Sequence, residues 1–199
     1  RQKDEPGAEK ELLFDANKMA EGHEYFKLTG ISISPNNQYC AFGIDIVGRR
    51  NYTLYVKNLF TGEELSVEIE HTVGCYAWAN DNSTLFYAKH DPETLRSDKI
   101  FRTDVHKDDF GEQMVYREKD EKFDTFVYRS RSQAYVIIVS SSSISDEYRF
   151  LSTDRPKDEF QLFQPRQDHL EYSIEHKDDT FYILTNADKA DNFKLMTTP

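Results

Sequence analysis

Apolar and polar positions in this chain fall into short strand-like runs divided by polar turns, and the arrangement recurs four times. One unit reads Ile31-Ser32-Ile33-Ser34-Pro35-Asn36-Asn37-Gln38-Tyr39-Cys40-Ala41-Phe42. A second reads Tyr76-Ala77-Trp78-Ala79-Asn80-Asp81-Asn82-Ser83-Thr84-Leu85-Phe86-Tyr87, a third spans Val127 to Ile137, and a fourth Ser173 to Ile183. Each is strand, turn, strand. With Asn36, Asn80, Ser130 and His176 aligned, the steps are 44, 50 and 46 residues. A period of about 40–50 residues with several strands per unit is the signature of a β-propeller. The turns are rich in Asn, Asp, Ser and Pro, which bond their own backbone or preset its dihedrals.

Each unit then supplies two more strands: Thr53–Leu59 and Glu64–Ile69, Ile100–Val105 and Gln113–Tyr116, Tyr148–Leu151 and Phe160–Phe163, with Phe193–Met196 in the last. The second strand of a unit is almost wholly apolar, as in Tyr135-Val136-Ile137-Ile138-Val139, which fits a strand covered on both faces. Outer strands alternate, with Glu64, Ser66 and Glu68 between Leu65, Val67 and Ile69, as a half-exposed strand requires. Asp15–Glu21 alone reads as helix, capped by Asp15 and stopped by Gly22. Glu11–Phe14 reads as an outermost strand. The expected fold is therefore all-β: a propeller fragment of four-stranded antiparallel blades. The tail of one blade occupies 1–15, three blades occupy about 23–70, 74–118 and 123–166, and most of another occupies 170–199.

Composition narrows the function. The net charge is −11, from 25 Lys and Arg against 36 Asp and Glu, with both signs spread along 199 residues. That disfavours nucleic acid, which needs a basic stripe to neutralise phosphates, and anionic membranes. The longest apolar run, Ala134–Val139, falls far short of the roughly 20 residues of a membrane span. The chain starts Arg1-Gln2-Lys3-Asp4-Glu5-Pro6, without a secretory signal pattern or an initiating Met, and is expected to be a piece of a longer polypeptide. Cys40 and Cys75 lie in strand-like segments and read as buried, reduced thiols, pointing to a cytoplasmic setting.

Catalytic motifs are missing. No serine is bracketed as G-x-S-x-G, the turn that exposes a hydrolase nucleophile, and Ser140–Ser143 reads as a solvated loop. The six histidines have no metal-ligand spacing and read as surface or loop residues. Asp108-Asp109 and Asp178-Asp179 lack a calcium pattern and read as turn formers. No cofactor or metal is expected. Gly48-Arg49-Arg50-Asn51 stands apart: two adjacent arginines between the second and third strands of a blade suit a carboxylate partner, since guanidinium is a planar two-pronged donor.

Longer strings carry a resemblance. Leu12-Leu13-Phe14-Asp15-Ala16-Asn17, Glu21-Gly22-His23-Glu24-Tyr25-Phe26, Ser34-Pro35-Asn36-Asn37 and Asp45-Ile46-Val47-Gly48-Arg49-Arg50-Asn51-Tyr52-Thr53-Leu54 resemble the propeller of the oligopeptidase B (protease II) branch of the prolyl oligopeptidase family. So do Ala77–Tyr87, Asp91–Arg96, Glu118–Phe123, Ser145–Arg149 and Phe163–Arg166. The resemblance implies a seven-bladed propeller capping an α/β-hydrolase domain of the same polypeptide. That domain carries the serine triad and cleaves short basic peptides after Lys or Arg. It also implies that Glu24, Arg49 and Arg50 lie on the propeller face turned toward that domain and gate its opening. No catalytic residue falls within these positions. The alternative is a propeller scaffold or ligand-binding module with no hydrolase attached. The chain on its own is expected neither to hydrolyse Lys or Arg esters nor to react with a fluorophosphonate; stoichiometric labelling of one serine would contradict that.

Overall fold

The computed structural model describes Gly7, residues 10–107 and residues 111–199. It holds one helical turn, α1 (Ala16–Met19), and fourteen strands: β1 (Lys27–Ile33), β2 (Tyr39–Asp45), β3 (Tyr52–Asn58), β4 (Glu64–Trp78), β5 (Thr84–His90), β6 (Ser97–Asp104), β7 (Gln113–Arg117), β8 (Asp124–Arg129), β9 (Tyr135–Ser141), β10 (Asp146–Ser152), β11 (Gln161–Leu162), β12 (Tyr172–Lys177), β13 (Thr180–Thr185) and β14 (Lys194–Thr198). Every ladder is antiparallel. The ladders group into blades: β1–β3 with the first half of β4, the second half of β4 with β5–β7, then β8–β11, then β12–β14. This is an open piece of a β-propeller.

The repeat has a backbone marker. Asn37, Asn82 and Gln133 occupy the same place in the first three hairpin turns, two residues before the next strand, with φ between 59° and 64°; the fourth turn is shorter and has Asp178 at φ 54°. The left-handed conformation is one that Asn and Asp tolerate best among residues with a Cβ. Adjacent turns are tied together: the Asn36 N–H donates to Asn82 Oδ1 at 2.8 Å, and the Arg131 N–H to Glu175 Oε1 at 2.9 Å.

The core lies between blades. Leu85 and Tyr87 of β5 pack with Ala41, Leu54, Val56 and Trp78 in the first seam, while Phe86 and Ala88 pack with Val127, Val136 and Ile138 in the second. Ile137, between those last two, points the other way and meets Tyr148, Tyr172, Ile174 and Phe181 in the third. Successive side chains of a strand face opposite sides of its sheet. A strand buried in two seams is therefore apolar through its middle, as expected for β5 and β9, and β2 has the same character.

Three features depart from the sequence expectations. Glu11–Phe14 is not one of the strands. Phe14 instead packs on Phe42 at a ring-centroid distance of 4.7 Å, with Lys57 Nζ 5.4 Å from its ring centre. Both edges of β2 are taken by β1 and β3, so Phe14 can reach Phe42 only through the sheet face. Second, the expected strands Glu64–Ile69 and Tyr76–Ala79 are joined. β4 runs 15 residues, pairing with β3 and then β5, with Thr72 bonded to both. It turns the corner through His71 and Gly74, at φ 65° and 82°. A Cβ on Gly74 would sit 2.7 Å from Thr29 Cγ2, and one on Gly30 2.5 Å from the Gly74 carbonyl oxygen. The innermost strands of the first two blades approach too closely for side chains there. Third, the helix is shorter than Asp15–Glu21, although Asp15 caps it as expected, accepting from the N–H groups of Asn17 and Lys18.

Leu54 is fully buried in the first seam, so Leu54→Ala should lower stability by about 2–5 kcal/mol. The single tryptophan, Trp78, lies in the same seam and donates its indole N–H to the Ser32 carbonyl at 3.0 Å. Urea unfolding followed by its fluorescence is the measurement, and an unchanged midpoint would show that the seam does not contribute as described.

Candidate functional site

Lys27 at the start of β1 pairs with Asp45 at the end of β2, so the segment entering the blade and the loop leaving β2 share one end. Asp45 is almost fully buried and organises that loop. Its Oδ1 accepts from the N–H groups of Val47 (2.8 Å) and Gly48 (2.9 Å), and its Oδ2 from that of Arg50 (2.8 Å). Hydrogen bonds to an ionised acceptor are the strong kind. The chain passes through left-handed conformations at Gly48 (φ 82°) and Arg50 (φ 56°) to make them. The Tyr25 ring covers Gly48, where an added Cβ would be 3.4 Å from it. Glu24, Arg49 and Arg50 are all exposed on this end, and among the described residues no ion pair engages their side chains.

The loop is also tied to its surroundings. The Arg50 carbonyl accepts from His90 Nε2 at 3.0 Å, which links it to the second blade. Because a carbonyl only accepts, Nε2 carries the proton. Asn51 Nδ2 donates to His71 Nδ1 at 3.1 Å. At the same end of the last blade, the loop between β13 and β14 borders a groove of about 750 Å³ whose walls include Asp168, Glu171, Asp188 and Asp191.

A second charged cluster sits where the second and third blades meet. Arg166 Nη2 donates to Glu118 Oε2 at 2.6 Å and lies 3.6 Å from Glu147 Oε1, and its guanidinium carbon is 3.6 Å from the centre of the Phe123 ring. Arg149 donates to Glu147 and stacks over Tyr116, whose hydroxyl reaches both Glu118 (2.9 Å) and Ser140 (3.0 Å). Burial works against the charged form of Glu118. The Arg166 guanidinium, the Asp120 N–H and the Ser140 and Tyr116 hydroxyls outweigh it and hold the carboxyl below its ordinary value. Nothing in the local sequence announces this cluster, because Glu118 and Arg166 are 48 residues apart.

The remaining candidates resolve individually. Ser140 is not in a solvated loop: it lies in β9, one residue before its end, and is fully buried because its hydroxyl has Tyr116 as a partner. His176 is not a surface residue either, being buried against Tyr135 and Phe181 with Nδ1 2.8 Å from Ser132 Oγ. Cys40 and Cys75 are free thiols, and burial pushes that of Cys40 up to about 11. Asp178 forms the β12–β13 turn, whereas Asp108 and Asp109 lie outside the described residues. Among the described residues no group of His, Cys, Asp and Glu is placed to hold a metal, and no helix is long and apolar enough to cross a membrane.

The family described as "Prolyl oligopeptidase, N-terminal beta-propeller domain" matches residues 1–199. The chain belongs to that family. This prolyl oligopeptidase propeller is 34% identical over 96% of its length to dipeptidyl aminopeptidase BI of Pseudoxanthomonas mexicana, and 31% identical over 96% to Protease 2 of Moraxella lacunata. Oligopeptidase B from Leishmania major superposes on 99% of it with a TM-score of 0.88 at 28% identity. The Trypanosoma brucei enzyme covers 98% of it, with a TM-score of 0.85 at 26% identity. The chain spans only 26–28% of the length of these relatives.

Removing Arg166 would strand Glu118, a buried carboxylate, so Arg166→Met should cost about 3 kcal/mol or more. The lowered Glu118 carboxyl stabilises the fold fully above its ordinary value of 4.5, and that contribution fades as pH falls from there through the folded value. Glu118→Gln should flatten the acid side of a stability–pH curve measured by urea unfolding. Parallel curves for the variant and the parent would show that the pair contributes nothing.

Proposed function

We propose that this propeller segment is part of a longer serine peptidase of oligopeptidase B type that cleaves short peptides after Lys or Arg. In this reading the propeller is size filter and lid over an α/β-hydrolase domain of the same polypeptide, in the cytoplasm. The observation that carries it is the end face. A buried carboxylate fixes a loop that projects two exposed arginines, with no ion-pair partner among the described residues, at the same end as an exposed glutamate. Side chains so presented suit oppositely charged groups on a facing domain. Partly solvated ion pairs contribute about 0–1 kcal/mol each, weak enough for a contact that opens and closes with each turnover. The likeness to Protease 2 and to the oligopeptidase B structures supports the endopeptidase assignment. The acidic groove and the net charge of −11 suit basic peptides, which such a field draws in.

The 34% identity to a dipeptidyl aminopeptidase favours a second reading, release of dipeptides from a free N-terminus. Product analysis on an N-terminally blocked peptide with one internal Arg separates the two. Internal cleavage supports the first, and no cleavage without a free amine supports the second.

In the full-length protein, Glu24→Ala and Arg50→Ala should each lower kcat/KM by up to about fivefold, the equivalent of 1 kcal/mol, with the melting temperature unchanged. Unaltered kinetics for both variants would remove the interdomain role.

A further inference from the structure

We infer that Asp45 and His90 are positioning residues that hold the Arg49–Arg50 loop in its presenting conformation, and that His90 couples this loop to the second blade. The inference rests on the reading of Arg50 as an interdomain contact. Arg50 sits at φ 56°, where a residue with a Cβ is held only if its surroundings over-determine it. Two bonds do this from opposite sides of the same residue. The Arg50 N–H is taken by Asp45 Oδ2 and its carbonyl by His90 Nε2–H. Asp45 belongs to the first blade and His90 ends β5 of the second. The peptide units on either side of the Arg50 Cα are therefore fixed against two different blades, and the direction of its side chain is fixed with them. A shift between the two blades would be passed to the guanidinium.

The loop has the composition of a held element, not of a solvated turn. Asp45 is almost fully buried and all three of its acceptor bonds go to loop N–H groups. Ile46 and Val47 are exposed, so apart from the Tyr25 ring over Gly48 little apolar packing orders the segment. The polar bonds carry that work. An isosteric change at Asp45 isolates one of them. In Asp45→Asn an oxygen can still serve Val47 and Gly48, but an NH₂ then faces the Arg50 N–H. At His90, Phe removes the donor to the Arg50 carbonyl, while Gln keeps an N–H donor on a chain of similar reach.

The experiment measures amide hydrogen exchange of peptides covering 46–51, together with kcat/KM, in the full-length protein. Asp45→Asn, His90→Phe, His90→Gln and Arg50→Ala are compared. Exchange of the loop should speed up about tenfold in Asp45→Asn and His90→Phe, the effect of losing one such hydrogen bond. Their kcat/KM should fall to the Arg50→Ala value, in His90→Phe at an unchanged melting temperature, and His90→Gln should stay near the parent in both. Unchanged exchange in His90→Phe, which leaves the buried carboxylate untouched, would overturn the inference. So would faster exchange with parental kinetics while Arg50→Ala is impaired. If Arg50→Ala itself is kinetically silent, the interdomain reading fails, and the exchange rates alone decide whether Asp45 and His90 fix the loop.

Discussion

The structure depends on burial of the middle strands in two seams at once. On β9 Val136 and Ile138 belong to one seam and Ile137 to the next; on β5 Leu85 and Tyr87 face one blade while Phe86 and Ala88 face another. A single blade has no interior. Its sheet becomes a core only when a neighbour covers each face, which makes stability a property of adjacent pairs, as in other repeat architectures. The same rule accounts for the first blade. Phe42 is completely buried although no earlier blade is among the described residues, because Phe14 from the segment before β1 lies over it.

That constraint explains how much of the fold could be read from sequence. Period-2 burial in two seams leaves continuous apolar runs, the turns between them are rich in Asn, Asp and Ser and pass through a left-handed residue, and both recur at blade spacing. Strand order followed from that. What escaped detection depends on contacts between distant residues. His71 and Gly74 look like a break in a strand pattern, yet β4 continues through them because β3 and β5 offer ladder partners on either side of Thr72. Ser140 and His176 have the composition of exposed residues and are buried because Tyr116 and Ser132 supply their partners. The site was legible in a similar, partial way. Gly48-Arg49-Arg50 stood out as two arginines after a glycine, but neither the role of Asp45 as anchor nor that of His90, 40 residues further on, has a local sequence signal.

The seams are not chemically alike. The first is closed by Trp78, Leu54, Val56 and their neighbours, with polar groups at its margins: the Trp78 indole on Ser32, Tyr76 on Thr72, and Tyr87 on Glu112 beside Lys89. The second has an apolar body but, at one end, two arginines, two buried glutamates and a tyrosine that share hydrogen bonds. Ion pairs out of water seldom stabilise more than apolar residues of the same shape would, yet breaking one is costly. Such a cluster therefore tolerates few alternative alignments of the two blades.

Register between blades matters because the end-face loops are not independent of it. His90 leaves β5 and bonds the loop that leaves β2, so Arg50 is oriented by two blades together. Arg166, from the segment after β11, reaches Glu118 after β7 and makes a comparable bridge one seam further on. Both crossings lie at the end of the blades where β1, β8 and β12 begin. At the opposite end the blades are linked as well, by Asn36 to Asn82, by Asn80 to Asp154 and Arg129, and by Ser132 and Arg131 to His176 and Glu175. An end whose charges are held by inter-blade contacts presents a fixed pattern to whatever faces it. A ring built from pairwise seams can keep such a pattern only where each seam is pinned close to the loops it must align.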